Sequence, residues 1–254
     1  MKRKGLILCC VAFLAVFVIF GGKLLAQTMM QSREAETFVE LSQLRSESVS
    51  TVSQGLESTV EMPSLEVETV SYAELAALND DFVGWVTIAG TAIDYPIMHT
   101  PNDAEYYLHR DFYKSYSFSG TPFLDANCTI DSQQWVVYGH HMNNGTMFAD
   151  LVDFRDSDFR RTHSTIYVDT ITQRYTYEVI CGFYQEADGS TWTEGYFTYD
   201  TEEAFAVFQA HCNQAALFGS LDDVTYDDHL LSLVTCSGID DNIRFVLVAQ
   251  RIEG

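Results

Sequence analysis

Basic residues are scarce in this chain. Fourteen Lys and Arg stand against 36 Asp and Glu in 254 positions, a formal net charge of −22. Four of the 14 (Lys2, Arg3, Lys4 and Lys23) fall within the first 23 positions, so the remainder is more acidic still. Such a surface repels phosphate backbones, which argues against nucleic acid as a partner, and it provides no attraction toward anionic lipid. Cysteine pairs at metal-binding spacing are also lacking. The six cysteines contain no CxxC pair, so neither a zinc site nor a disulfide framework is indicated for a domain of this size. The adjacent His140 and His141 supply no helical i, i+4 pair of metal ligands. There is no internal repeat and no cofactor signature, and neither a cofactor nor a metal is expected. Apolar residues are not lacking, at 47%. The chain is therefore not of the disordered type, and its length suits one compact domain with accessory segments.

The N-terminus carries a membrane signal. Lys2-Arg3-Lys4 precede Gly5–Gly22, an apolar run without a charge that Leu24, Leu25 and Ala26 extend. The run has the length of a bilayer span, and Leu25-Ala26-Gln27 makes a poor cleavage site. The reading is a cytoplasmic basic tip (residues 1–4) and an uncleaved transmembrane signal anchor (residues 5–26), with everything beyond it extracellular. The cell membrane, crossed once, is the expected location. Residues 27–70 read as a stalk or linker whose early part can form an amphipathic helix, and residues 46–70 are rich in Ser, Thr and Glu. The folded domain is expected over residues 71–254, starting at the capping-box pattern Ser71-Tyr72-Ala73-Glu74.

Within that domain the pattern is mainly of strands. Runs at Phe82–Ile88, Thr91–Met98, Thr121–Leu124, Gln134–Tyr138, Thr165–Asp169, Arg174–Tyr184, Leu230–Thr235 and Ile243–Gln250 have β character. Thr146–Phe154 looks helical. Glu202–Phe218 reads as a long helix with Phe205, Phe208, Cys212, Ala215 and Ala216 on one face. Short strands with helices inserted between them predict a mainly β barrel or sandwich of α+β type.

Four cysteines lie beyond the N-terminal run. Cys181 sits in a strand and Cys212 in the apolar stripe of a helix, where a thiol is a core residue. Cys128 lies in a polar loop and stays open as a candidate. Cys236 ends the apolar strand Leu230–Val234 and precedes Ser237-Gly238, where the strand should stop. A thiol at a strand end can be partly exposed, and it needs an imidazole or a positive field to become a nucleophile. Arg244 begins the next strand eight positions on, and a hairpin would set it beside Cys236. Its fixed charge and fork of donors suit a developing oxyanion. His140 follows Gly139 at the end of Trp135–Tyr138, where a side chain can project into a cleft. His140 and His141 cannot serve one site equally, because neighbours on extended backbone point to opposite sides. His99, His109, His163, His211 and His229 have no distinctive context.

The segments Tyr138-Gly139-His140, Leu233-Val234-Thr235-Cys236 and Ile243-Arg244-Phe245-Val246-Leu247-Val248 resemble the three signature segments of sortases. Asn79–Trp85, Gly90–Pro96, Tyr106-Tyr107-Leu108 and Gly139-His140-His141-Met142 resemble the class B branch, as does the long helix before the cysteine strand. The resemblance spans roughly Ser71 to Ile252. It implies an eight-stranded β-barrel with N-terminal helices. It also implies a cysteine transpeptidase with Cys236 as nucleophile, His140 as general acid/base and Arg244 as oxyanion or substrate-positioning group. The implied reaction cuts a C-terminal sorting signal of a secreted protein after Thr and passes the acyl group to an amine, on a peptidoglycan precursor or on a pilin Lys. Haem-uptake factors are the usual clients of class B. Two other classes stay open: a cysteine peptidase that only hydrolyses, and a non-catalytic binding module with an inert thiol.

Overall fold

A computed structural model of the protein describes residues 13–14, 17–18, 20–23, 29, 33–34, 36–45, 72–187, 198–238, 240 and 242–252. By internal packing the chain separates into two units, Met1–Glu40 and Leu41–Gly254. In the first unit, residues 36–40 are helical. The expected single-pass anchor is corrected: among the described residues, no helix is long and apolar enough to cross a membrane. A crossing needs about 20 consecutive apolar helical residues. The extracellular placement drawn from that anchor goes with it. The rest of 5–26, the stalk segment 46–70 and Ser71 of the capping box lie outside the described residues.

The second unit is a closed β-barrel. Its strands are β1 (Phe82–Thr87), β2 (Asp94–Met98), β3 (Phe123–Leu124), β4 (Gln134–Tyr138), β5 (Thr165–Thr170), β6 (Arg174–Glu186), β7 (Ala216–Gly219), β8 (Leu230–Cys236) and β9 (Ile243–Arg251). Hydrogen bonding runs β5-β1-β2-β3-β4-β8-β9-β6-β7, and an additional β5–β6 pairing closes eight strands into a ring. The thirteen-residue β6 makes closure possible. One edge pairs with β9 along Tyr177–Glu186, while the other takes β5 over Arg174–Glu178 and then β7 over Cys181–Phe183. Closure leaves no long unpaired edge in the ring.

Burial explains the strand composition. β4 (QWVVY) is buried at every position and β8 (LLSLVTC) at all but its last. The 3-10 helix Ala149–Arg155 packs over β8 and β9 on the outside, so both faces of these strands are covered and an uninterrupted apolar run is required. Trp85, Ile97, Val136, Phe183, Leu233, Phe245 and Leu247 are fully buried. Each contributes about 1.5–3 kcal/mol through removal of its apolar surface from water.

Helix α1 (Ala73–Leu78) precedes β1, α2 (Ser157–Thr162) precedes β5, and α3 (Glu202–Ala215) precedes β7. Asp156 caps α2 by accepting the N–H groups of Asp158 and Phe159, and Thr201 caps α3 by accepting that of Ala204. The long helix is therefore three residues shorter than its pattern predicts. Ala216–Gly219 leaves it to form β7 on β6, where Gly182 leaves room for the Phe218 ring; a Cβ there would approach that ring to 2.4 Å. Of the predicted buried face, Phe205, Phe208 and Cys212 are buried, whereas Ala215 and Ala216 are half-buried and Ala216 already belongs to β7.

Two polar clusters tie the barrel wall. Asp169 on β5 is 2% exposed. It accepts two bonds from Arg174 (2.6 and 2.9 Å) and one from the Tyr72 hydroxyl (2.5 Å). Burial raises the Tyr72 hydroxyl far above its ordinary range, so it stays protonated and keeps donating to that carboxylate. On the opposite edge of β1, Asp94 accepts from Arg45, Trp85 and Thr87 at 2.5, 2.7 and 2.9 Å. That network draws the helical residues 41–45 into the folded unit, ahead of the predicted start at residue 71.

Candidate active site

β4 and β8 are neighbours and run parallel, with Tyr138 opposite Val234 and Gly139 N–H bonded to the Val234 carbonyl at 3.0 Å. Two parallel strands in register end at the same rim of the barrel. His140 stands two residues beyond Tyr138, and Cys236 two residues beyond Val234. This pairing explains how residues 96 positions apart in sequence arrive at one edge.

β9 returns antiparallel to β8, and Cys236 lies directly opposite Arg244. Directly opposed residues of an antiparallel pair project from the same face. Arg244 Nη1 donates to Cys236 Sγ at 3.7 Å. The connecting turn is short and internally bonded. Ser237 N–H donates to the Ile243 carbonyl at 2.8 Å, Ile243 N–H to the Asp240 carbonyl at 3.1 Å, and Asn242 N–H to Asp240 Oδ1 at 2.8 Å. Arg244 is only 7% exposed. A guanidinium held there, beside a sulfur, meets that sulfur with little water between them. The field favours the thiolate and any negative charge that develops next to it.

The four described cysteines divide sharply. Cys128, Cys181 and Cys212 are buried, whereas Cys236 is half-buried. Burial pushes the Cys128 thiol up to about 12 and that of Cys181 up to about 11, and it raises Cys212 as well. Cys128, left open by the sequence, is thereby removed as a nucleophile at neutral pH.

His140 is fixed at both ends. Its carbonyl accepts the Phe148 N–H at 2.9 Å. The Phe148 ring lies so close to Gly139 that a Cβ there would meet it at 2.7 Å. At the other end, His140 Nε2 lies 3.0 Å from the Leu108 carbonyl. A carbonyl only accepts, so Nε2 carries the hydrogen. In the neutral ring Nδ1 is then the nitrogen able to take a proton. The carbonyl that orients His140 has no side-chain signature in the sequence. It belongs to the stretch Tyr106-Tyr107-Leu108, visible there only as a class B resemblance.

The loop that carries Leu108 is pinned by its own network. Asn79 Nδ2 donates to the Tyr107 hydroxyl (2.8 Å) and the Phe112 carbonyl (2.6 Å), Tyr107 donates to Asp81 (2.7 Å), and Lys114 pairs with Asp80 (3.1 Å) and Asp81 (2.9 Å). Gly120, at φ +61°, passes so close to the Leu108 carbonyl that a Cβ would come within 2.4 Å of it. Only glycine permits both that conformation and that approach.

The His141 ring lies against Gly238, two residues past Cys236. His99 is half-buried, and burial holds its imidazole below the ordinary range. His163 stacks on Phe159 with ring centroids 4.1 Å apart, and His211 bonds Gln185 at 2.7 Å. Among the described residues no cluster of three or more His, Cys, Asp or Glu could hold a metal ion.

A sortase-domain family model matches residues 86–252. Sortase B of Listeria monocytogenes is 31% identical over 179 residues, covering 70% of this chain and 71% of the relative. The crystal structure of Clostridium perfringens sortase B is 29% identical with a TM-score of 0.63, covering 72% of this chain and all of that one. The Staphylococcus aureus sortase B–substrate complex superimposes with a TM-score of 0.69 at 22% identity, over 89% of this chain and 99% of that one. At that identity the likeness speaks for the fold alone.

Proposed function

Because the chain belongs to the sortase family, class B, and is a cysteine transpeptidase, we propose that it cleaves a C-terminal sorting signal after Thr and transfers the acyl group to an amine of a peptidoglycan precursor. The observation that supports this reading is the rim geometry: a half-buried Cys236 beneath the Arg244 guanidinium at 3.7 Å, with His140 leaving the adjacent parallel strand. In the S. aureus relative the bound molecule is described as its substrate.

In this reading Cys236 Sγ, as thiolate, attacks the Thr carbonyl carbon. Arg244 stabilises the oxyanion of the tetrahedral intermediate. The C–N bond breaks, His140 as imidazolium gives its proton to the departing amine, and a thioester remains on Cys236. The acceptor amine then attacks the thioester and passes a proton to His140. Cys236 leaves as thiolate, and a new amide bond stands where the thioester was. The residues expected to form the catalytic domain are 71–254.

The test is mass spectrometry of the protein with sorting-signal peptides and candidate amines: oligoglycine, a diaminopimelate-containing stem peptide and a lysine peptide. Ligation to the stem peptide or oligoglycine is the expected outcome. Ligation only to the lysine peptide would reassign the acceptor to a pilin-type side chain, and cleavage with no ligated product would make the protein a hydrolase. Arg244→Ala is expected to lower the rate of acyl-enzyme formation by about 10²–10³-fold. An unchanged rate would remove Arg244 from the oxyanion role.

A further inference from the structure

The rim contains a titratable ring that neither the signature segments nor the mechanism uses. His109 follows Leu108, whose carbonyl receives His140 Nε2. The His109 ring is stacked with that of His140, with centroids 5.5 Å apart and planes 27° from parallel. Tyr116 stacks with His109 in turn, at 6.4 Å and 29°. The three rings form one ladder that ends on the proposed proton carrier.

The ladder is held by local backbone bonds. Arg110 and Tyr116 form an isolated antiparallel bridge, Ser117 N–H donates to the His109 carbonyl at 3.1 Å, and Asp111 N–H donates to the Ser115 carbonyl at 2.9 Å. Lys114 sits at φ +65° to close this turn. Tyr116 is 66% exposed, so burial does not explain why it lies on His109; the hairpin places it there. Thr121 accounts for the base of the same turn, with its hydroxyl donating to the Arg110 carbonyl at 2.9 Å.

We propose that His109 is a positioning residue for His140: its stacked ring sets the plane of the His140 imidazole, while the Leu108 carbonyl sets the nitrogen. The Leu108 carbonyl fixes which nitrogen carries the hydrogen, and a neighbouring ring 5.5 Å away and 27° from parallel narrows the planes the imidazole can adopt, so Nδ1 keeps one direction. A proton carrier must lie within hydrogen-bond reach of the atom it serves, and small displacements cost rate.

The charged groups around the pair are accounted for. Arg110 lies over the Tyr106 ring at 4.2 Å, Asp111 accepts the Ser115 N–H, and Lys114 is paired with Asp80 and Asp81. On the side of His140 stand His141, Cys236 and Arg244.

This inference rests on reading His140 as the proton carrier, so its test has one arm that needs no substrate. In the Cys236→Ala background the His140 ring resonances are recorded by NMR at one pH with His109 intact, with His109→Ala and with His109→Phe. His109→Ala is expected to shift and broaden them, because the neighbouring ring is gone, and His109→Phe to keep them sharp. In the otherwise wild-type chain, His109→Ala is expected to lower kcat about tenfold with KM little changed. His109→Phe, which keeps a stacked ring, should restore most of that loss. Equal losses in the two variants, an unchanged kcat in His109→Ala, or His140 resonances unmoved by His109→Ala would overturn the proposal. Absence of ligation by the unmodified protein would instead sink the transpeptidation reading, and the NMR arm would still decide the role of His109.

Discussion

Cys181 and Cys236 both face β9, the first opposite Val248 and the second opposite Arg244. They are the same side chain on strands of the same barrel, yet one is fully buried with its thiol pushed up to about 11, and the other is half-buried beside a guanidinium. The difference lies in where along the strand each thiol falls. Cys181 occupies the middle of β6, where desolvation penalises the thiolate. Cys236 occupies the last position of β8, where the strand reaches the rim and the partner across the ladder carries a positive charge. Proximity to β9 is common to both, so the rim and Arg244 together separate the proposed nucleophile from a core residue.

The widest consequence of that contrast is chemical. Cys236→Ala is expected to lower ligation by about four orders of magnitude, with the thermal midpoint little changed. A cysteine-directed electrophile at neutral pH should place its adduct on Cys236 and leave Cys128, Cys181 and Cys212 unlabelled, as read by peptide mass spectrometry. Fast labelling of Cys181 in the folded protein would break the distinction between rim and interior.

The wall should respond in the opposite way, through stability before chemistry. Asp169→Ala removes the acceptor of Arg174 and of the Tyr72 hydroxyl. The arginine side chain is 37% exposed and retains some water, so the expected loss is about 2–3 kcal/mol, below that of a fully buried pair. Chemical denaturation checks it, and electrophile labelling of Cys236 in the still-folded fraction should keep its rate. Cys212→Ala is expected to cost less, about 1 kcal/mol, again with ligation intact.

The smallest effect is on pH. Burial, as the leading cause, holds His99 and His229 below the ordinary imidazole range. Their folded forms bind fewer protons than the unfolded chain. Their contribution is therefore full above the unfolded value of about 6.5 and is lost as pH falls through the depressed folded values. The thermal midpoint should decline as pH is lowered from 7.5 toward 5, and His99→Asn should flatten that decline. A midpoint that rises on acidification over this range would contradict it.

The strands were legible because their burial writes a pattern along the chain. β4 coincides with the predicted Gln134–Tyr138, and β8 and β9 each extend one residue beyond their predicted ends. The hairpin that faces Cys236 with Arg244 followed from two strands and a short loop. Other features were less visible. The end of the long helix was misplaced because Ala216–Phe218 continues the apolar character of α3, and only pairing with β6 turns it into β7. Helix α2, capped by Asp156, is too short and too exposed to show a periodic face. The membrane anchor was inferred from a basic cluster, an apolar run and a poor cleavage site, and among the described residues no helix is long and apolar enough to cross a membrane.

By itself the sequence determined the strand-rich class, the family resemblance, and the three residues Cys236, His140 and Arg244 as candidates, since local periodicity and short motifs are properties of adjacent residues. The tertiary structure decided what surrounds them. That Cys128 is buried depends on how the connection between β3 and β4 packs; that the Leu108 carbonyl reaches His140 and that His109 lies on its ring depend on a loop between β2 and β3. That loop has no periodic signal, and its position comes from Asn79, Tyr107 and Gly120 meeting across the fold. Contacts between distant segments are set by how the barrel closes, and closure is a property of the whole chain.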